Sequence, residues 1–232
     1  MSKRILWLDG WRGLVCYLMI FYHFCFDLII FGWQPYSITQ DWPLFTLQRF
    51  IALSFIFLSG VSSHFTHSNY RRGLITLVCG AVVATVATSM GEPIQFGILQ
   101  FLGCAMLLYG AIGRYVEKVP DKLAPWLWAV LYLITRVWTY TTLVEPTWLF
   151  WLGFRARGFV SADWVPILPN VFMFFLGGWF GKKLMTMDDN SRLRTLGAPR
   201  WLTWPGQRTL IIYMLHQPVL YGLCWTASMI MS

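Results

Sequence analysis

Residues 8–27 read LDGWRGLVCYLMIFYHFCFD, and this stretch decides how the rest of the chain is interpreted. Asp9 and Arg12 open an apolar run that then carries His23 and Asp27. A bilayer interior penalises ionisable side chains strongly, and those inside apolar spans usually serve a function. Two of them within the first apolar segment therefore predict a functional site there.

The composition indicates a membrane protein. Of the 232 residues, 57% are hydrophobic and only 12% are charged, and the mean hydropathy is +0.55. A soluble domain of this length could not bury so much apolar surface. No hydrophilic stretch is long enough to fold alone. The sequence predicts an all-α polytopic helix bundle that forms a single domain over residues 1–232.

A membrane-spanning helix needs about 20 predominantly apolar residues. By this measure the sequence predicts seven spans, at roughly 12–33, 44–64, 73–90, 96–114, 123–141, 166–184 and 208–230. The longer connections are at about 142–165, which is rich in Trp and Phe, and at about 185–207, which is the most hydrophilic part of the chain.

The Lys and Arg residues predict the orientation, because they concentrate in cytoplasmic loops. With the N-terminus inside, most of the 18 basic residues lie on the inner face, and the outer loops keep only Arg155 and Arg157. The net charge of +8 could fit nucleic-acid binding, but the basic residues sit in short loops between apolar runs. We therefore expect no nucleic-acid partner, an inner N-terminus and an outer C-terminus.

The first span carries a polar stripe. Residues three or four apart share a helix face, and Arg12, Cys16, Met19, His23 and Asp27 follow that spacing. Eleven residues separate Arg12 from His23, which corresponds to about 16 Å at 1.5 Å per residue. His23 is therefore predicted near the middle of the membrane, with Asp27 one turn further out and able to orient its imidazole.

Further polar residues lie at comparable depths in other spans. Arg49 enters the second span to about the depth of Asp27, which predicts an ion pair between them. His216 lies about as deep as His23. Gln100 and Arg136 lie near the outer ends of the fourth and fifth spans.

Each of these residues also has a structural interpretation. A histidine in a span is often an interhelical hydrogen-bonding residue. Arg49 and Arg136 could serve as counter-charges or extend to the headgroups. Asp9 could simply favour the positive end of a helix.

The chemistry that this set allows is acyl transfer. A histidine beside a carboxylate is a general base or a nucleophile that carries an acyl group, and an arginine stabilises a developing oxyanion. The sequence has no Gly-x-Ser-x-Gly, HExxH, Walker or GxGxxG motif, which disfavours hydrolase, ATPase and Rossmann functions. No Cys or His spacing fits zinc, so no metal is predicted.

Two other functions remain open at this point. One is a proton-coupled transporter in which His23, Asp27 and His216 relay protons. The other is a non-catalytic membrane scaffold.

Several segments carry a family resemblance, in the order LDGWRGLVCYLMIFYHFCFDL, FIALSFIFLSGVS, FGILQFLGCAMLLYG, DWVPILPNVFMFFLGGWFGK and GQRTLIIYMLHQPVLYG. Together they resemble bacterial membrane proteins related to the heparan-alpha-glucosaminide N-acetyltransferase catalytic domain, over nearly the whole chain. That family is in turn similar to the wider transmembrane acyltransferases, including the acyltransferase-3 family, in which a histidine follows an Arg-Gly motif in the first helix. His23, eleven residues after Arg12, matches that pattern.

The resemblance implies acetyl-CoA or another acyl-CoA as the cytoplasmic donor and a sugar or glycan acceptor on the outer face of a bacterial inner membrane. Two positions depart from the family. The loop from Trp33 to Pro43 lacks the histidine that lysosomal members have there, and Gln100 stands where relatives commonly have histidine.

The predicted site residues fall into three groups. The catalytic group is His23, Asp27, Arg49 and His216. The group predicted to bind the CoA phosphates is Asp9, Arg12, Arg71 and Arg72, and the group predicted to bind the acceptor is Gln100 and Arg136. Lipid, the acyl donor and the acceptor are the expected partners, and assembly with further copies of the chain is left open.

Overall fold

The computed structural model describes residues 4–35 and 42–231, and all regular structure among them is helical apart from two isolated bridges. The helices are α1 (Leu6–Ile30), α2 (Trp42–Ser62), α3 (Asn69–Ser89), α4 (Ile98–Val116), α5 (Ala124–Thr141), α6 (Ile167–Thr186), α7 (Arg192–Thr195), α8 (Arg200–Gly206) and α9 (Thr209–Met231). The prediction of an all-α protein is confirmed. Lys3 and residues 36–41, in the middle of the first predicted outer loop, lie outside the described residues.

Five of these helices are long and apolar enough to cross a membrane: α1, α2, α3, α4 and α9. The other two predicted spans, at 123–141 and 166–184, also form helices, α5 and α6, but neither is among these five. Trp, Tyr and Pro make α5 less apolar, and α6 ends in Lys182 and Lys183. The count of seven spans and the orientation stay predictions.

The first helix begins earlier than the sequence predicts. The apolar run suggests a start near residue 12, whereas α1 begins at Leu6 and continues unbroken to Ile30. The additional turns contain Asp9, whose carboxylate is neutralised by Arg4 and Arg12. Arg4 and Arg12 offset the cost of placing the Asp9 carboxylate in an apolar helix. The charged cluster therefore belongs to α1 itself.

The contacts divide the chain into two compact units. Unit 1 combines residues 1–55 with 187–232, and unit 2 comprises residues 56–186, so the boundary falls within α2. The prediction of a single domain over 1–232 stays a prediction.

In unit 1, the first half of α1 packs against α8 through glycines. A Cβ added at Gly13 would overlap the carbonyl of Leu202, and one added at Gly206 would overlap the carbonyl of Asp9. Only a residue without a side chain lets two helix backbones approach so closely. The hydrophilic connection predicted at 185–207 therefore contains a helix that packs on α1. The same α1 also contacts α9.

In unit 2, α3 packs on α4 and α5 packs on α6. The C-terminal part of α2 meets α6 at a second close approach, where a Cβ at Gly60 or Gly177 would overlap the facing backbone. The aromatic connection after α5 folds into a short 3-10 helix at Thr147–Trp151, and the Trp164 indole donates a hydrogen bond to the carbonyl of Phe150 at 2.9 Å.

We expect Gly13→Ala to lower the free energy of unfolding of unit 1 by about 1–3 kcal/mol, because the new methyl group would force α1 and α8 apart. Gly222→Ala is the matched control, since a Cβ there meets no atom within 4 Å, and it should be neutral or stabilising by up to about 1 kcal/mol. Thermal unfolding in detergent measures both. Equal midpoints for the two variants would contradict the close packing.

Candidate functional site

Two imidazoles meet inside unit 1, one from each of two apolar helices. His23 on α1 and His216 on α9 lie with their ring centroids 4.6 Å apart and their planes at 78°, an edge-to-face arrangement. His216 is buried and His23 is half-buried. The structure therefore brings together the two histidines that the sequence places at one depth.

Backbone carbonyls determine which nitrogen of each imidazole carries the proton. His23 Nδ1 lies 2.9 Å from the carbonyl of Met19, and His216 Nδ1 lies 2.7 Å from the carbonyl of Tyr213. A carbonyl only accepts hydrogen bonds, so each Nδ1 must be the donor and a neutral ring leaves Nε2 with its lone pair. His216 Nε2 is buried and has no hydrogen-bond partner in the described part of the chain. Both rings therefore present Nε2 as a base.

Asp27 is fully buried one turn beyond His23. Its Oδ1 accepts a hydrogen bond of 2.6 Å from the Nε2 amide of Gln217 on α9. The role that the sequence predicts for Asp27, to fix the tautomer of His23, is filled by the Met19 carbonyl instead. Asp27 thus joins α1 to α9 rather than orienting the imidazole.

The predicted ion pair between Asp27 and Arg49 is not among the ion pairs of residues 4–35 and 42–231. The Arg49 guanidinium lies 5.2 Å from the centre of the Phe45 ring on its own helix. Matching depths predict the pair, but depth does not determine which faces of two helices meet. The Gln217 amide is instead the neutral partner of the buried carboxylate.

A second polar cluster surrounds Asp9 at the beginning of α1. The buried carboxylate accepts hydrogen bonds from Arg4 at 2.6 Å, from Arg12 at 2.9 Å and from Gln207 at 3.4 Å. Asp9 and Arg12, both predicted to bind the donor, are therefore together. Their bonds also connect α1 to the segment that follows α8, which supports the structural interpretation of Asp9.

The remaining predicted residues lie in unit 2, at three separate places. Arg71 and Arg72 begin α3, where Arg72 donates to the carbonyl of Ser62 at 3.3 Å. Gln100 Oε1 accepts the Gly97 N–H at 2.7 Å and so caps the beginning of α4. The Arg136 guanidinium lies 5.5 Å from the centre of the Tyr140 ring. For Gln100 the structure shows a capping role, which the sequence argument did not consider.

Unit 2 contains a cluster that the sequence argument missed. The Tyr109 hydroxyl lies 2.9 Å from His64 Nε2 and 3.1 Å from Glu117 Oε1. Gly178 leaves the space that the Tyr109 ring occupies, since a Cβ there would lie 2.8 Å from the hydroxyl oxygen. In the sequence, His64 is the last residue of the predicted span 44–64 and Glu117 lies three residues beyond the span 96–114, and neither position indicates a partner.

The Tyr109 hydroxyl has one proton to donate and lies within hydrogen-bond distance of both His64 and Glu117. When Tyr109 donates to Glu117, its oxygen can accept from His64 only if the imidazole is protonated at Nε2. The protonation of this nitrogen is therefore linked to the direction of the Tyr109 hydroxyl. Burial lowers the pKa of His64, the Glu117 carboxylate and the Gly178 backbone raise it, and Lys182 lowers it.

A small cleft adjoins the cluster and is lined in part by Glu117, Asp121, Trp128 and Lys182. Its interior has space for about one water molecule. Lys183 binds Asp121 at 2.7 Å and holds the pKa of that carboxyl below its usual range. This cleft is too small for a nucleotide. Nor do the described residues contain a group of three or more His, Cys, Asp or Glu side chains that could hold a metal ion.

Comparison with known proteins gives one match. The family model described as "Heparan-alpha-glucosaminide N-acetyltransferase, catalytic" matches residues 4–218. The matched range includes both histidines of the pair and ends one residue beyond Gln217. No curated protein and no solved structure matches the chain.

We expect Glu117→Gln to lower the pKa of His64 further, because Glu117 favours the imidazolium form. A depressed pKa in the folded state means that the unfolded chain binds more protons. Stability from this source is present above the unfolded histidine pKa of about 6.5 and falls as the pH drops below it. The variant should therefore lose more stability on acidification than the parent.

An NMR titration of the His64 ring in detergent, with thermal unfolding between about pH 5 and 8, measures both effects. Glu145→Gln, at an exposed position outside the cluster, is the control. An unchanged or raised His64 pKa in Glu117→Gln would show that the two groups do not interact.

Proposed function

Because the chain belongs to the heparan-alpha-glucosaminide N-acetyltransferase catalytic family, we propose that it is an acyl-CoA-dependent transferase. The chain is an integral membrane protein of an acetyltransferase family, with helices long and apolar enough to span a bilayer. In the proposed reaction, an acetyl or other acyl group passes from cytoplasmic acyl-CoA to a sugar or glycan acceptor on the outer face of a bacterial inner membrane.

The observation that carries this proposal is the pair of imidazoles on α1 and α9. Each has Nδ1 engaged by a backbone carbonyl, which leaves Nε2 as a base. A base held inside apolar helices suits the removal of a proton from an attacking hydroxyl or amine. The same nitrogen is also a nucleophile that could carry the acyl group as an acyl-imidazole.

The two routes differ in their first step. In the direct route, a histidine Nε2 takes the proton of the acceptor while the acceptor attacks the thioester carbonyl. In the carrier route, Nε2 attacks the thioester first, the CoA thiolate leaves, and the acceptor then attacks the acyl-imidazole. Arg49, which belongs to the same unit as the histidines, is proposed to stabilise the negative charge that develops on the carbonyl oxygen.

The donor is proposed to bind at the basic residues of the inner side. Arg71 and Arg72 fit a phosphate group, because they stand in the first turn of α3, where the helix N-terminus also favours anions. Asp9 and Arg12 fit less directly, because the guanidinium of Arg12 already binds the Asp9 carboxylate at 2.9 Å. With seven spans and the N-terminus inside, these groups face the cytoplasm.

We expect His23→Gln and His216→Gln to reduce turnover of acetyl-CoA with an acceptor by about 10²-fold or more, as for removal of a general base. His67→Gln is the matched control, because His67 is an exposed histidine in the loop after α2. Turnover is measured as CoA thiol release by purified protein in detergent, with size-exclusion chromatography to show that each variant is folded. Full turnover in both variants would contradict the assigned chemistry.

The half-reaction separates the two routes. Incubation with acetyl-labelled acetyl-CoA alone should label the protein only in the carrier route, and His23→Gln or His216→Gln should abolish that label. Absence of acetyl-CoA binding to folded protein would contradict the whole proposal. Uptake of a solute driven by a pH gradient, without any acyl donor, would instead favour the transporter.

A further inference from the structure

The cluster on α1 and α9 has an excess of hydrogen-bond acceptors. Three buried atoms there have no hydrogen-bond partner among the described residues: Asp27 Oδ2, Gln217 Oε1 and His216 Nε2. Asp27 is fully buried and His216 is 8% exposed. Two of these atoms belong to side chains that hydrogen-bond each other, and the third belongs to the neighbouring residue on α9. Since buried polar atoms are nearly always satisfied in native proteins, three such atoms on two contacting helices indicate a ligand.

Two of the three atoms are fixed as acceptors by the bonds that their side chains already make, and Asp27 Oδ2 is the third when the carboxylate is ionised. The amide nitrogen of Gln217 donates to Asp27 Oδ1, so its oxygen is the end left over. His216 Nδ1 donates to the carbonyl of Tyr213, so Nε2 is the lone-pair nitrogen. An ionised Asp27 has only acceptor oxygens.

The two substrates of an acyl transfer differ in what they can offer to such a site. A thioester presents a carbonyl oxygen and a sulfur, neither of which carries a hydrogen to donate. A hydroxyl or an amine carries O–H or N–H bonds at the reacting atom itself, whereas the nearest N–H of acyl-CoA lies two carbons from its sulfur. Of the two reacting groups, only that of the acceptor substrate can therefore donate to these atoms.

We infer that Asp27, Gln217 and His216 bind hydroxyl or amine groups of the acceptor substrate, with the nucleophilic group at His216 Nε2, and that Gln217 is an acceptor-binding residue. The identification of the ligand as the acceptor substrate rests on the proposed function. The requirement for a hydrogen-bond donor holds for any ligand of this cluster. The acyl group of the donor approaches from outside these three atoms.

The chemical step then balances without any further reactant. The nucleophile donates its hydrogen to His216 Nε2, its O–H or N–H bond breaks, and a new bond forms to the thioester carbonyl carbon. The carbon–sulfur bond breaks, and the leaving thiolate takes the proton from the imidazolium. In the carrier route the same nucleophile attacks the acyl-imidazole of His23, with His216 as base.

Two variants test the inference, with glucosamine and glucose as amine and hydroxyl probes and acetyl-CoA as donor. Asp27→Asn keeps the shape of the side chain and removes its charge. Gln217→Met keeps its approximate length and removes both the orphaned oxygen and the amide that donates to Asp27 Oδ1. Asp188→Asn and Gln95→Met, at exposed positions, are the matched controls.

We expect both site variants to raise the KM of the probe by about tenfold or more, as for loss of a hydrogen-bonded contact to a substrate, and to leave the KM and Kd of acetyl-CoA within about twofold. Calorimetry of the probe alone, without donor, should show the same weakening. Gln217→Met serves as the test if Asp27→Asn does not fold.

Three results would overturn the inference. They are weakened acetyl-CoA binding with an unchanged probe KM, site variants that behave like the controls for both probes, and no saturable binding of either probe to the parent protein. Failure of the proposed function has a different signature, in which folded protein does not bind acetyl-CoA while probe binding still depends on Asp27 and Gln217.

Discussion

The hydrogen bond between Gln217 and Asp27 is the interaction on which the candidate site depends. A bare carboxylate inside apolar helices is costly unless it is protonated or partnered, and a neutral amide satisfies one of its oxygens without cancelling its charge. The bond also joins α1 to α9, and so helps to hold the two imidazoles edge to face. An arginine in the same place would neutralise the carboxylate and leave less reason for a substrate to bind.

Much of this arrangement could be predicted from the sequence, because the physical cost of polar residues in apolar spans is visible in one dimension. His23, Asp27 and His216 were singled out for that reason, and the structure brings them together. The all-α class and the helices at all seven predicted spans follow from apolar runs of sufficient length. The early start of α1 was missed, because hydropathy alone does not show that Arg4 and Arg12 would neutralise Asp9.

Pairing across helices could not be predicted, because it depends on helix rotation and on backbone approach. Matching depths suggested Arg49 as the partner of Asp27, whereas the contact is with Gln217. The packing of α8 on α1 depends on Gly13 and Gly206. In the sequence, Gly13 is an ordinary glycine of the first span and Gly206 an ordinary glycine of a hydrophilic connection. The cluster of His64, Tyr109 and Glu117 combines the end of α4 with a loop residue 45 positions before Tyr109, and each of these residues alone has an ordinary explanation.

Because α1 is unbroken, it holds its residues at fixed distances along its axis. Arg12 at one end and His23 near the middle are eleven residues apart, and a straight helix keeps them about 16 Å from each other along its axis. Under the proposed function, an acyl donor held at the charged cluster would need its reactive end on an arm long enough to cover that distance. The rigid helix would then select donors by length before any side chain recognises their chemistry.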